Sequence, residues 1–283
     1  MKGARGLATH VLSLSGLASL SRRLLTVSGR FALAFHGVSK ARPEGIPSWL
    51  QPHLTVDELR AILGWLESRF SFLTPEEFLT SRKPGVLLTF DDGLANHYFN
   101  ALSVLAEFEV PAVFFVATQH VIAPRDWLAD VREKAASGWG SPDRVPPELA
   151  ADFFDGMSAD QLRRLASHPL ATIGSHTVSH PFLTSCSDEQ LMSELRESRR
   201  FLEETTGEPA ELFAYPTGDY DRRVLDAVAS SGYRSAFALD SRKLGHFRFE
   251  IPRVGIYGAS PAYLSAKLSG LHRGALRAAP VED

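Results

Sequence analysis

Apolar positions along the chain fall into short β-rich runs that alternate with stretches of helical period, the pattern of βα units around a mostly parallel sheet. The first run, Phe31 to Phe35, ends at His36 and Gly37 and is followed by a loop containing Pro and Gly. Thr55 then opens a helix. Thr55 and Glu58 have the T-x-x-E spacing of a capping box, and Leu59, Ile62, Leu63 and Leu66 supply one apolar stripe. Val86 to Phe90 is almost wholly apolar, as a strand covered on both faces requires, and Asp91, Asp92 and Gly93 follow at once. A helix from about residue 96 to 108 leads to the next buried strand, Ala112 to Ala117.

The periodicity weakens near residues 125–170, where Trp127, Trp139 and several prolines surround one helix at 158–166. That stretch lacks the apolar repeat for a core of its own and reads as an insertion, not a second domain. A strand resumes at Ala171 to Gly174, with His176 and His180 just beyond it. Ser187 and Gln190 form another capping box, opening a helix whose Leu191, Leu195, Ser198 and Leu202 share a face before Gly207 stops it. Strands at 212–215, 235–238 and 250–256 and a helix at 222–230 complete the pattern, which contains no internal repeat.

Composition narrows the classes. With 283 residues, 44% apolar and 22% charged, the chain is a globular α/β protein, and one α/β barrel accommodates this length. The net charge of -3, without a long run of either sign, argues against a nucleic-acid footprint. One cysteine, Cys186, excludes an intramolecular disulfide and a Cys-rich zinc site; its thiol reads as a bystander. Residues 1–30 read as an amphipathic helical lead-in. Its apolar part, from Gly6 to Leu20, is too short and polar to span a bilayer, which points to a cytoplasmic or membrane-peripheral protein. The expected organisation is this lead-in, a catalytic domain over 31–258, and a C-terminal helix and tail over 259–283.

Three polar clusters lie at the C-terminal ends of three expected strands: Asp91 with Asp92, His176 with His180, and Tyr215, Pro216, Thr217 and Gly218. Active sites of parallel α/β folds gather at that end. Adjacent carboxylates after an extended strand point in different directions, so one can bind a metal while the other handles a proton. Either could instead cap the following helix. Two imidazoles four residues apart reach a common ion from a helical turn or a turn of similar compactness; with one carboxylate they suit Zn²⁺, and also Co²⁺ or Ni²⁺.

Thr89-Phe90-Asp91-Asp92-Gly93 resembles the first motif of the polysaccharide deacetylase family, also called the NodB-homology or carbohydrate esterase family. His176-Thr177-Val178-Ser179-His180 is similar to its second motif. Phe213-Ala214-Tyr215-Pro216-Thr217-Gly218 is similar to the third as written in the exopolysaccharide branch. The resemblance implies a single-domain distorted (β/α) barrel, often seven-stranded, that hydrolyses the acetamide of an acetylated carbohydrate with one divalent ion. By motif position Asp91 is the general base and Asp92, His176 and His180 are the ligands. The Thr217 N–H would complete an oxyanion hole, with Tyr215 walling the sugar pocket.

The chain departs from the family pattern twice. Ala214 stands where many members carry an arginine that orients the base, and Arg253, at a later strand, is the candidate replacement. The late histidine that serves as general acid in many members has His246 as a counterpart, which precedes the final strand, while His272 falls after the barrel; Asp91 or solvent are the alternatives for protonating the leaving amine. His36 is a candidate pocket residue, Asp219 and Tyr220 are candidates for sugar contact, with Asp219 alternatively a helix cap, and Trp127 is a candidate stacking platform. The competing readings are a metal phosphoesterase, which needs ligands for a second ion, an O-acetyl esterase, and a silent glycan-binding protein, which would have lost the base.

Overall fold

The computed structural model describes residues 29–42, 53–123, 152–239, 244–245 and 247–269. In chain order the first elements are β1 (Arg30–Phe35), β2 (Val38–Ser39), β3 (Leu54–Thr55), α1 (Val56–Glu67), α2 (Pro75–Thr80) and β4 (Gly85–Phe90). A π-helical turn (His97–Ala101) runs into α3 (Leu102–Glu107), followed by β5 (Ala112–Val116), α4 (Gln119–Ile122), α5 (Ala159–Ala166) and β6 (Ala171–Ser175). Then come α6 (Asp188–Thr206), β7 (Leu212–Ala214), α7 (Arg222–Ser230), β8 (Ser235–Ala238), β9 (Ile251–Gly255) and α8 (Pro261–Leu268).

The strands close a barrel in the order β1-β4-β5-β6-β7-β8-β9, all parallel, which is the seven-stranded architecture that the sequence implies. Strand β2 pairs with β3 in a separate two-stranded sheet that the hydrophobic pattern did not announce. Register is continuous between β1 and β4, from Arg30 opposite Gly85 to Phe35 opposite Phe90. It is thinnest between β6 and β7, where Ser175 opposite Phe213 is the single registered pair.

Side chains of period two divide the strands between two cores. Val86, Leu88 and Phe90 of β4 face outward with Leu33, Phe35, Phe114 and Val254, and meet Leu59, Ile62, Leu63 and Leu66 of α1. Each of those four α1 side chains, fully buried, stabilises the fold by roughly 1.5–3 kcal/mol. Leu87 points the other way and fills the lumen with Ala32, Val113, Phe115, Ala214 and Phe237. Thr89 and then Asp91 continue this inward phase, so the base candidate is the upper end of the barrel lining.

The capping boxes at Thr55–Glu58 and Ser187–Gln190 form as the sequence indicates, and Gly207 ends α6 in a left-handed conformation. The helix expected at 96–108 begins instead as the π-turn, because His97 and Asn100 bond to the chain after β1: His97 Nε2–H donates to the His36 carbonyl and Asn100 Nδ2 to the Val38 carbonyl. Most of the insertion, residues 124–151, lies outside the described residues, as do Trp127, Trp139, residues 1–28 of the lead-in and the tail beyond residue 269. Its described end is fastened to the barrel: Ala95 N–H donates to Asp155 O, Met157 N–H to Gly93 O, and Leu94 bridges to Gly156. Among the described residues no helix is long and apolar enough to cross a membrane.

Candidate active site

Strand β4 delivers the two acidic residues in opposite directions. Asp91 keeps the inward phase and meets Arg253 of β9, which is fully buried. The guanidinium holds both carboxylate oxygens, Nη1 to Oδ1 at 2.6 Å and Nη2 to Oδ2 at 2.8 Å, and Nη1 also donates to Thr89 Oγ1 at 3.0 Å. Thr89 passes the connection on by donating to the Leu33 carbonyl at 2.9 Å. Burial alone would raise the Asp91 carboxyl, but the charges of Arg253 and His176 outweigh it and hold the group below its ordinary value. Arg253 therefore supplies from β9 the cation that the sequence lacks at Ala214.

Asp92 turns away with φ of 82°, and Gly93 follows at 77°, where a Cβ would lie 2.8 Å from Val116 Cγ1. The turn aims Asp92 Oδ1 at His176 Nε2, 3.7 Å away, and at His180 Nε2, 3.6 Å away. One ligand atom from each of the three lies within 4.8 Å of the others. Ligands of a tetrahedral zinc site, bonded at 2.0–2.1 Å, sit about 3.4 Å apart, so this donor set fits a divalent cation and leaves a coordination position open. His176 Nδ1–H donates to the Ala214 carbonyl at 2.8 Å, which leaves the Nε2 lone pair facing Asp92. Burial pushes the His176 imidazole down to about 4, so the ring is neutral and ligand-ready near pH 7. Burial alone would raise the Asp92 carboxyl, but His36, His180, His176 and His120 hold it well below the carboxylate range.

His176 and His180 do not lie on a helical turn. They flank a loop in which Thr177 and His180 both adopt positive φ, 70° and 57°, and His180 N–H donates to Thr177 Oγ1. Of the five non-glycine residues with positive φ among those described, Asp92, Thr177, His180 and Thr217 belong to the three motifs. Such conformations cost of order 1–3 kcal/mol each and persist where the surroundings over-determine them.

The third motif divides differently from its sequence reading. Thr217 is exposed, in a left-handed turn (φ 56°) between buried Pro216 and Gly218, and the His176–Ala214 bond ties the end of β7 to the ligand loop. Tyr215 is fully buried, stacked on Tyr220 at 4.5 Å with its hydroxyl donating to Phe249 O, so its ring packs in the core. Tyr220 is equally buried and donates to Glu250, which corrects its place as a sugar contact. Asp221, not Asp219, caps α7; the Asp219 carboxylate accepts from Thr184 N–H and Oγ1.

His36 lies just beyond the end of β1 with its ring 5.9 Å from that of Tyr257. His246 lies outside the described residues. Cys186 donates weakly to the Phe182 carbonyl, and burial pushes its thiol up, which accords with a bystander. The sequence did not single out His120, which donates to the Asp92 carbonyl at 2.9 Å, or Glu194, which binds the ligand loop. Both act on backbone atoms, so no motif spacing marks them.

The profile of the polysaccharide deacetylase family matches residues 79–236, more than half of the chain. YxkH of Bacillus subtilis (strain 168), whose name places it among polysaccharide deacetylases, is 25% identical over 78% of this chain and 70% of its own length. A poly-beta-1,6-N-acetyl-D-glucosamine N-deacetylase of Staphylococcus aureus is 24% identical over 74% of this chain and 70% of its own. Among solved structures, a de-N-acetylase from Aggregatibacter actinomycetemcomitans superposes with a TM-score of 0.64 at 19% identity, covering 84% of this chain and 99% of that one. IcaB from Ammonifex degensii gives 0.62 at 22% identity, covering 86% and 97%. With the barrel and the paired acids already in place, the profile match identifies this chain as a member of the polysaccharide deacetylase family and a deacetylase hydrolase.

Proposed function

We propose that the protein is a metal-dependent N-deacetylase of N-acetylglucosamine-type poly- or oligosaccharides. The observation that carries this reading is the division of labour between neighbours: Asp92 faces two imidazoles while Asp91 is clamped by Arg253. The similarity to a poly-beta-1,6-N-acetyl-D-glucosamine N-deacetylase supports the choice of sugar and of an amide over an ester.

Asp92, His176 and His180 would hold the ion, Zn²⁺ by the character of its two nitrogens and one oxygen. Bound there, it polarises the acetyl carbonyl and lowers the pKa of water. Asp91 is kept ionised and fixed by Arg253, ready to take the proton of the attacking water. The same carboxyl then returns that proton to the leaving nitrogen, so the amine departs neutral and the Asp91 carboxylate is regenerated. The Thr217 N–H, in its left-handed turn, would complete the hole for the developing oxyanion. His36 lines the site beside the acidic pair.

Acetate release from β-1,6-linked N-acetylglucosamine oligomers tests this. Chelation abolishes release and Zn²⁺ restores it; Asp91→Asn lowers turnover by about 10²–10⁴-fold while retaining one bound zinc per chain. Release that survives chelation, or acetate from O-acetylated glycans alone, overturns the reading.

A further inference from the structure

The loop bearing the two histidines follows β6 directly, yet what fixes it comes from elsewhere. Glu194, on the second turn of α6, reaches under it: Oε2 accepts from Val178 N–H at 2.7 Å and from Ser179 N–H at 2.9 Å, and Oε1 accepts from Ser179 Oγ at 2.6 Å. Both amides lie between the ligands His176 and His180. One helical turn later, Ser198 Oγ meets Ser175 Oγ at 2.8 Å, immediately before His176, and both serines are fully buried. Ser175 Oγ in turn accepts from Thr177 N–H at 3.3 Å. Helix α6 thus grips the segment on both sides of His176, through side chains four residues apart on one face.

The loop needs such a grip. Thr177 and His180 hold left-handed conformations that an unsupported chain leaves readily. A carboxylate accepting two adjacent amides and a hydroxyl makes charge-assisted bonds, stronger than neutral ones, at the positions between the strained residues. Thr118 and Gln119 N–H donate to the Thr177 and Val178 carbonyls, and among the described residues Glu194 is the acceptor for the loop's amides at Val178 and Ser179.

We propose that Glu194 is a positioning residue for the metal site: it holds the Thr177–His180 backbone in the one conformation in which both imidazoles face Asp92. This rests on the metal-dependent reading above. It makes Glu194 the residue through which α6 sets ion affinity without touching the ion or the substrate.

The test is Zn²⁺ affinity of the full chain, measured by competition with a chromophoric chelator, with thermal unfolding of the ion-free protein recorded in parallel. Glu194→Ala weakens Zn²⁺ binding by about 10–100-fold, the usual cost of removing a group that orients a ligand. Glu194→Gln retains the amide acceptor for both N–H groups and turns its NH₂ toward Ser179 Oγ, so it recovers affinity to within about threefold. Ser179→Ala, which removes one of the three bonds, falls between them and serves if the alanine variant does not fold. Wild-type affinity in Glu194→Ala, or a Gln variant as weak as Ala, overturns the proposal. Failure of the metal reading looks different: the wild-type chain itself then binds no zinc, and Asp92→Ala changes nothing.

Discussion

At the scale of single residues, the site is built from one buried ion pair and three candidate ligand atoms, and the sequence revealed these two parts unequally. Asp91, Asp92, His176 and His180 were legible because each pair is local and neighbours the end of an apolar run. Arg253 could be named from its strand-end position as the cation for the base, but its two-pronged geometry could not, since the contact spans 162 residues and depends on which face of β9 turns inward. Glu194 and His120 left no signal, because a side chain that binds backbone amides or a carbonyl is indifferent to the residue types it meets. The surroundings of Tyr215 were not legible for a related reason: only packing shows its ring buried and stacked on Tyr220. Removing one member of a buried pair leaves the other charge uncompensated, so Arg253→Ala is expected to destabilise the fold by about 3–5 kcal/mol and to lower turnover sharply. Arg253→Lys keeps the charge without the two-pronged geometry and recovers only part of each. Urea unfolding and kcat on the same preparations check this, and an alanine variant of unchanged stability and turnover contradicts it.

At the scale of elements, α1 and α6, with their capping boxes and stripes, and α7 declared themselves within a residue or two of where the sequence places them. The buried strands did likewise. The elements that were not legible owe their form to distant groups. The π-turn before α3 exists because His97 and Asn100 bond to the chain after β1, and the β2–β3 pair is too short for any period to show. The seam between β6 and β7 offers an element-level prediction. A Cβ on Gly174 would lie 2.6 Å from the Phe115 ring and 3.0 Å from the Leu212 carbonyl, so the two strands approach only because that position is bare. Gly174→Ala is expected to cost about 1–3 kcal/mol by overpacking, read as a lowered urea midpoint at unchanged m-value; a midpoint equal to wild type refutes it.

At the scale of the whole molecule, pH acts through imidazoles buried in neutral form. Burial pushes His53 down to about 3 and His97 down to about 4, from an ordinary 6.5. Both folded values lie below the unfolded one, so the unfolded chain gains protons first as the medium is acidified. Stability is then complete above about pH 6.5 and falls through the window down to about pH 4, by roughly 1.4 kcal/mol per pH unit for each histidine. Ion-free protein unfolded in urea across that window should show this slope, and His53→Gln should reduce it by one histidine's share; an unchanged slope in the variant refutes the assignment. The barrel also has a weak place. Between β6 and β7 a single registered pair is supplemented by the His176 imidazole, which reaches across to the Ala214 carbonyl. A candidate ligand is thus also a rivet of the wall: whatever anchors that ring from its far side draws the cylinder shut, and whatever releases it loosens the cylinder where it is thinnest.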